Sequence, residues 1–127
     1  ANSTGVGEIV TFGIMSISPS AGQVVYLNSS NSKWILADSD TIATGAYSLL
    51  GLCMGTTLAD GIMLRGFFDN RDYIDTFSVG DALYLTATAG EISKTAPTSG
   101  FVRVVGYCTD TANVMYFNPG TTWVEIA

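Results

Sequence analysis

Gly22-Gln23-Val24-Val25-Tyr26-Leu27 and Gly80-Asp81-Ala82-Leu83-Tyr84-Leu85 share the pattern Gly-x-x-x-Tyr-Leu. A short turn follows each, and then a second short apolar segment, Trp34-Ile35 in one copy and Glu91-Ile92 in the other. After a Ser/Thr/Ala-rich loop, Leu50-Gly51-Leu52-Cys53 matches Val105-Gly106-Tyr107-Cys108. Each copy closes on a last strand, Ile62 to Phe67 and Val114 to Phe117. Similarity kept in the same order along the chain is the signature of a duplicated unit. The spacing gives two four-strand halves, 22–68 and 80–118, with the two cysteines at matching positions. A four-strand meander alone leaves an apolar face and two open edges, and packing two of them together covers both.

Outside the repeat the pattern is the same. Short β-branched and aromatic runs are separated by Gly, Ser, Asn, Asp and Pro, which reads as strands and turns. Glu8 to Ile17 reads as a first strand closed by the turn Ser18-Pro19-Ser20-Ala21-Gly22, and Thr121 to Ile126 as a last one. Asp38 to Ala46 reads as a loop with at most one helical turn, capped by Asp38 or Asp40. Tyr26 and Tyr84, each between apolar neighbours, are expected half-buried with the hydroxyl at a rim. The fold expected is all-β: a single domain over 1–127, a barrel or sandwich of about ten short antiparallel strands built from the two similar halves.

Charge narrows the function. The chain carries five Lys and Arg against eleven Asp and Glu, a net −6, and no histidine. Lys33, Arg65, Arg71, Lys94 and Arg103 are scattered, so neither a nucleic acid nor an anionic membrane surface finds a basic patch. No apolar run approaches the roughly 18 residues of a membrane-spanning helix. Only 13% of residues are charged, against about a quarter in an average domain, which implies apolar surface hidden against other chains. A surface of Ser, Thr, Asn and Gly is the plainer alternative. The opening Ala1-Asn2-Ser3-Thr4-Gly5 reads as a linker or a processed start.

Catalytic chemistry finds little footing. Without histidine there is no Ser-His-Asp or Cys-His arrangement and no His-based metal site. Cys53 and Cys108 read as two buried thiols or as one disulfide. Asp69 to Asp75 places three acids in seven residues, but it does not match a calcium loop and Arg71 sits in its middle. Asp38 and Asp40 are spaced for turn and capping roles rather than for paired-carboxylate catalysis. No metal, cofactor or catalytic residue is therefore expected. The residues singled out are contacts. Arg65 and Arg103, inside apolar strands, point outward by alternation or pair with acids across a subunit boundary. Trp34, Trp123, Tyr47 and Tyr73 are available to stack on a sugar where exposed, and Asp72 and Tyr73 sit in the most polar connection.

A resemblance rests on longer stretches. Gly80 to Ile92, Thr95 to Tyr107 and the ending Met115-Tyr116-Phe117-Asn118-Pro119-Gly120-Thr121-Thr122-Trp123-Val124-Glu125 are similar to segments of tailed-bacteriophage virion proteins. Leu36-Ala37-Asp38-Ser39-Asp40, Leu49-Leu50-Gly51-Leu52 and Leu64-Arg65-Gly66-Phe67 fit the same pattern in the first half. The resemblance covers most of the chain from about Gly22 onward. It implies a non-enzymatic component of the phage particle that assembles as a homo-oligomer, often a trimer. Its partners would be capsid or fibre proteins. A head-decoration (cement) or head-attached protein and the distal receptor-binding domain of a tail fibre are the two placements. A carbohydrate-binding module meeting a surface glycan is the reading from another class.

Overall fold

The computed structural model describes residues 4–69, 77–110 and 114–126. Twelve strands are found there: β1 (Thr4–Val10), β2 (Ile14–Met15), β3 (Val24–Asn28), β4 (Lys33–Leu36), β5 (Leu50–Cys53), β6 (Ile62–Asp69), β7 (Ala82–Leu85), β8 (Ile92–Ser93), β9 (Phe101–Val102), β10 (Val104–Asp110), β11 (Val114–Phe117) and β12 (Val124–Glu125). Two single 3-10 turns, Ile42–Thr44 and Leu58–Asp60, are the only helical elements among the described residues. The first is preceded by Thr41 and has no side-chain cap, so neither Asp38 nor Asp40 caps it. Asp38 instead accepts from the Asp40 amide (3.1 Å) and the Thr44 hydroxyl (2.6 Å), the work of a turn residue.

The expected barrel is not formed. Ten strands make one open, mostly antiparallel sheet, and β9 and β12 pair apart from it. One pair, β2 with β4, is parallel. The ends of the sheet approach each other only through isolated backbone bonds: Val24 N–H to Gly90 O, Gly90 N–H to Ala37 O and Ser39 N–H to Thr86 O. The second half reaches the first there with the turn at Gly90, ahead of the two-residue β8, and no ladder joins the ends among the described residues. The first expected strand is split by Gly13, whose φ of 85° breaks the extended run into β1 and β2.

The strand order runs β4-β3-β5-β6 in the first half and β8-β7-β10-β11 in the second, and β6 pairs with β11. The same backbone bonds recur at the start of each. Gly22 N–H donates to Cys53 O (2.8 Å) and Cys53 N–H to Gln23 O (2.9 Å); Gly80 N–H donates to Cys108 O (2.8 Å) and Cys108 N–H to Asp81 O (3.0 Å). Gly22 and Gly80 have φ of 90° and 92°, the positive value that the third position of such a turn demands and that glycine alone adopts at no steric cost. The Gln23 and Asp81 side chains each accept the amide three residues back, from Ser20 and Ser78.

Pairing registers also correspond. Val24 lies opposite Leu52, and Leu52 opposite Met63. Ala82 lies opposite Tyr107, and Tyr107 opposite Tyr116. Cys53 faces Ile62 as Cys108 faces Met115. Trp34 opposes Leu27 as Ile92 opposes Leu85, one residue on from the match of Trp34 with Glu91 that the sequence suggests.

Corresponding residues nevertheless enter different layers. Val25, Trp34, Cys53 and Ile62 form a small buried cluster on the outer side of the first half. Their counterparts Leu83, Ile92, Cys108 and Met115 all lie in the large central core. Conversely, Val24, Tyr26, Leu52 and Met63 lie in the central core, whereas their counterparts Ala82, Tyr84, Tyr107 and Tyr116 lie outside it. The halves therefore stack facing the same way, the inner face of one on what corresponds to the outer face of the other. The shared expectation for Tyr26 and Tyr84 divides accordingly: Tyr26 is buried, and Tyr84 is half-buried on the far side.

Candidate functional site

The two outer faces of this stack differ. Over the first half, the segment from β1 to Ile17 lies as a strap, with Val10, Met15 and Ile17 packed on the small cluster. Trp34 anchors it. Its ring is fully buried, its indole N–H donates to Phe12 O at 2.8 Å, and Phe12 stacks on it with centroids 6.0 Å apart. Trp34 thus holds the strap and offers no ligand face, contrary to the sugar-stacking expectation.

Over the second half no described residue plays that part. Direct cross-strand partners set Val6, Phe67, Tyr116 and Tyr107 in one row across β1, β6, β11 and β10. At about 4.8 Å per strand the row is about 14 Å long. Its members are 76% (Val6), 51% (Phe67) and 49% (Tyr107) exposed, with Tyr116 half-buried between them. Phe67 and Tyr116 touch, with ring centroids 5.0 Å apart. Cross-strand aromatic pairs stiffen a sheet face, and an exposed apolar row of this kind marks a contact surface more often than a bare one.

Beside the row lies an open recess of about 380 Å³, whose wall includes Glu8, Tyr47, Arg65, Arg103, Asn118 and Thr121. It brings three of the sequence-selected residues together, Tyr47, Arg65 and Arg103, in different states. Arg65 is exposed and meets Glu8 of β1 at 3.7 Å, a surface pair of small energetic weight. Arg103 is 6% exposed and so does not point outward. Phe101 and Val105 are core residues, and simple alternation between them turns Arg103 inward. It pairs with no acid among the described residues. Its Nε–H donates to Gly120 O (2.8 Å), and Nη1 to Gly45 O (2.8 Å), Ser48 O (2.9 Å) and Ala46 O (3.2 Å). The guanidinium thus clamps the 45–48 loop to the chain before β12. Burial pushes its pKa down to about 10, which leaves it charged at neutral pH.

Trp123 is half-buried and packs edge-to-face on Phe101 at 6.4 Å, so it belongs to the core margin. Tyr47 is 67% exposed at the recess. Asp72 and Tyr73, with the rest of the acidic connection, lie outside the described residues. Cys53 and Cys108 are both buried, and no disulfide joins them. No group of three or more Asp, Glu or Cys side chains able to hold a metal occurs among the described residues. The sequence reading missed Phe67, Tyr107 and Tyr116. The signal was present in the repeat, because tyrosine at 107 and 116 replaces the aliphatic Leu52 and Met63 of the other copy. No protein-family model, curated protein or solved structure matches this chain.

Proposed function

We propose that the chain is a non-enzymatic structural protein of a bacteriophage particle, a head-decoration or head-attached component that works as a homo-oligomer, with a trimer expected. The observation that carries the self-associating part of this reading is the exposed aromatic row of Phe67, Tyr116 and Tyr107, in which both tyrosines stand where the first half has the core residues Met63 and Leu52. The particle assignment is supported by the ordered sequence resemblance, most of all by the segments from Gly80 to Tyr107 and from Met115 to Glu125. The two halves are read as copies of one unit, in agreement with their matching strand order and turn bonds. Light scattering coupled to size-exclusion chromatography tests the reading: a trimer is expected, and a monomer at high concentration contradicts it. Co-sedimentation with empty capsids, set against binding to host cells, separates a head protein from the distal domain of a tail fibre. The aligned rings also favour a second reading, a carbohydrate-binding face, since aromatic side chains in a row can stack on successive sugar rings. Loss of glycan-array signal in Tyr107→Ala would support it, and an array without hits would remove it.

A further inference from the structure

We infer that chains associate head to tail, the aromatic row over the second half of one copy docking on the strap-covered face of the first half of the next. The inference rests on the self-association proposed above and adds the surfaces and their polarity.

Its basis is the layer mismatch between the halves. Within one chain, the face bearing Val24, Tyr26, Leu52 and Met63 is covered by the second half, through Leu83, Ile92, Cys108 and Met115. What packs on this face of the unit is therefore a second unit, entered from its opposite side. The corresponding face of the second half bears Ala82, Tyr84, Tyr107 and Tyr116, and no described residue of the chain packs over it as a further layer. The next first half available to cover it belongs to another copy. The side that such a copy would present is the one closed by the strap, and the strap carries apolar side chains outward: Phe12 is 48% and Ile14 is 50% exposed. The molecule thus has two different apolar patches on the opposite outer faces of one stack, as a heterologous contact requires. Glu8 and Arg65, two residues from Val6 and Phe67 along β1 and β6, pair with each other, and Asp69 stands two residues from Phe67 on its other side. A heterologous contact closes into a ring when its rotation divides a full turn and otherwise runs on into an open filament.

A mixing experiment tests both surfaces and their polarity. The row is altered by Tyr107→Ser, alone and with Phe67→Ser, and the strap by Ile14→Glu, with Phe12→Ser as its alternative. Circular dichroism and the urea midpoint show which variants are folded, and folded ones are carried forward. Each variant alone is expected to lose association by at least tenfold. An equimolar mixture of a row variant and a strap variant is expected to give a dimer, because each retains one intact patch. A mixture that stays monomeric, or a row variant that assembles like the wild type, overturns the head-to-tail inference and leaves self-association standing. A monomeric wild type overturns both.

Discussion

The two halves share a strand order and the same opening turn bonds, and their outer faces differ. In the first half, Val25, Trp34, Cys53 and Ile62 point away from the central core, and the strap from Val10 to Ile17 covers them. In the second half the away-facing positions are Ala82, Tyr84, Tyr107 and Tyr116, and they remain partly or well exposed. Side-chain chemistry follows the cover. Aliphatic and indole groups occupy the closed face, and phenols, which keep an apolar body and a wet hydroxyl, occupy the open one. Two halves of matching strand order thus need not use their faces in the same way. Stacked in one direction, they leave one face closed from within the chain and the other open.

The comparison is broken most severely by removing the anchor of the closed face. Trp34→Ala deletes a fully buried indole, its stacking on Phe12 and the bond to Phe12 O, and should cost about 4 kcal/mol by the usual range for large core aromatics. The same variant should speed amide hydrogen exchange in residues 10–17 more than in β10. Equal change in both regions would mean that the strap is not held as described.

Next in size is the clamp at the recess. Arg103→Met keeps much of the side-chain volume but leaves the carbonyls of Gly45, Ser48 and Gly120 without their donor, and should cost about 3 kcal/mol in a denaturant titration. Arg103→Lys should recover only part of this, because an ammonium cannot reproduce the planar fork. A neutral result for Arg103→Met would show that water or other groups satisfy those carbonyls.

A pH-dependent effect reports on the closed face. Burial pushes the Cys53 thiol from 9.0 up to about 12. The unfolded thiol gives up its proton near 9 and the folded one does not. The neutral buried thiol therefore contributes its full stability below pH 9, and that contribution is lost as pH rises from 9 to 12. The slope is about 1.4 kcal/mol for each pH unit in that window. It should appear in the wild type relative to Cys53→Ala. Parallel stability curves for the two proteins above pH 9 would contradict the burial of this thiol.

Much of the strand content was legible, because turn residues and β-branched runs carry it locally. The like placement of Gly22 with Gly80 and of Cys53 with Cys108 was legible too, through Gly-x-x-x-Tyr-Leu and Gly-x-Cys. Which face of each half turns inward was not, since Val25 and Leu83, Cys53 and Cys108, or Ile62 and Met115 are all apolar and suit either layer. The tyrosines at 107 and 116 were the one local clue, and a tyrosine between apolar neighbours reads equally as core or rim. Open sheet or barrel depends on whether distant ends pair, which no motif announces. Arg103 was misread because two apolar neighbours on each side fit either direction of alternation. Only the convergence of four carbonyls from Gly45, Ala46, Ser48 and Gly120 makes an inward guanidinium tolerable, and that convergence is tertiary.

The most direct test of the stacked arrangement compares one pair of corresponding residues, Leu52 and Tyr107, by urea unfolding at a dilution where the protein is monomeric. Leu52 is fully buried and Tyr107 is 49% exposed. Leu52→Ala should lose about 3 kcal/mol and Tyr107→Ala less than about 1 kcal/mol, a difference set by core against surface truncation. Equal losses at the two positions would mean that both tyrosine and leucine face a packed interior, and the same-direction stacking of the halves would be wrong.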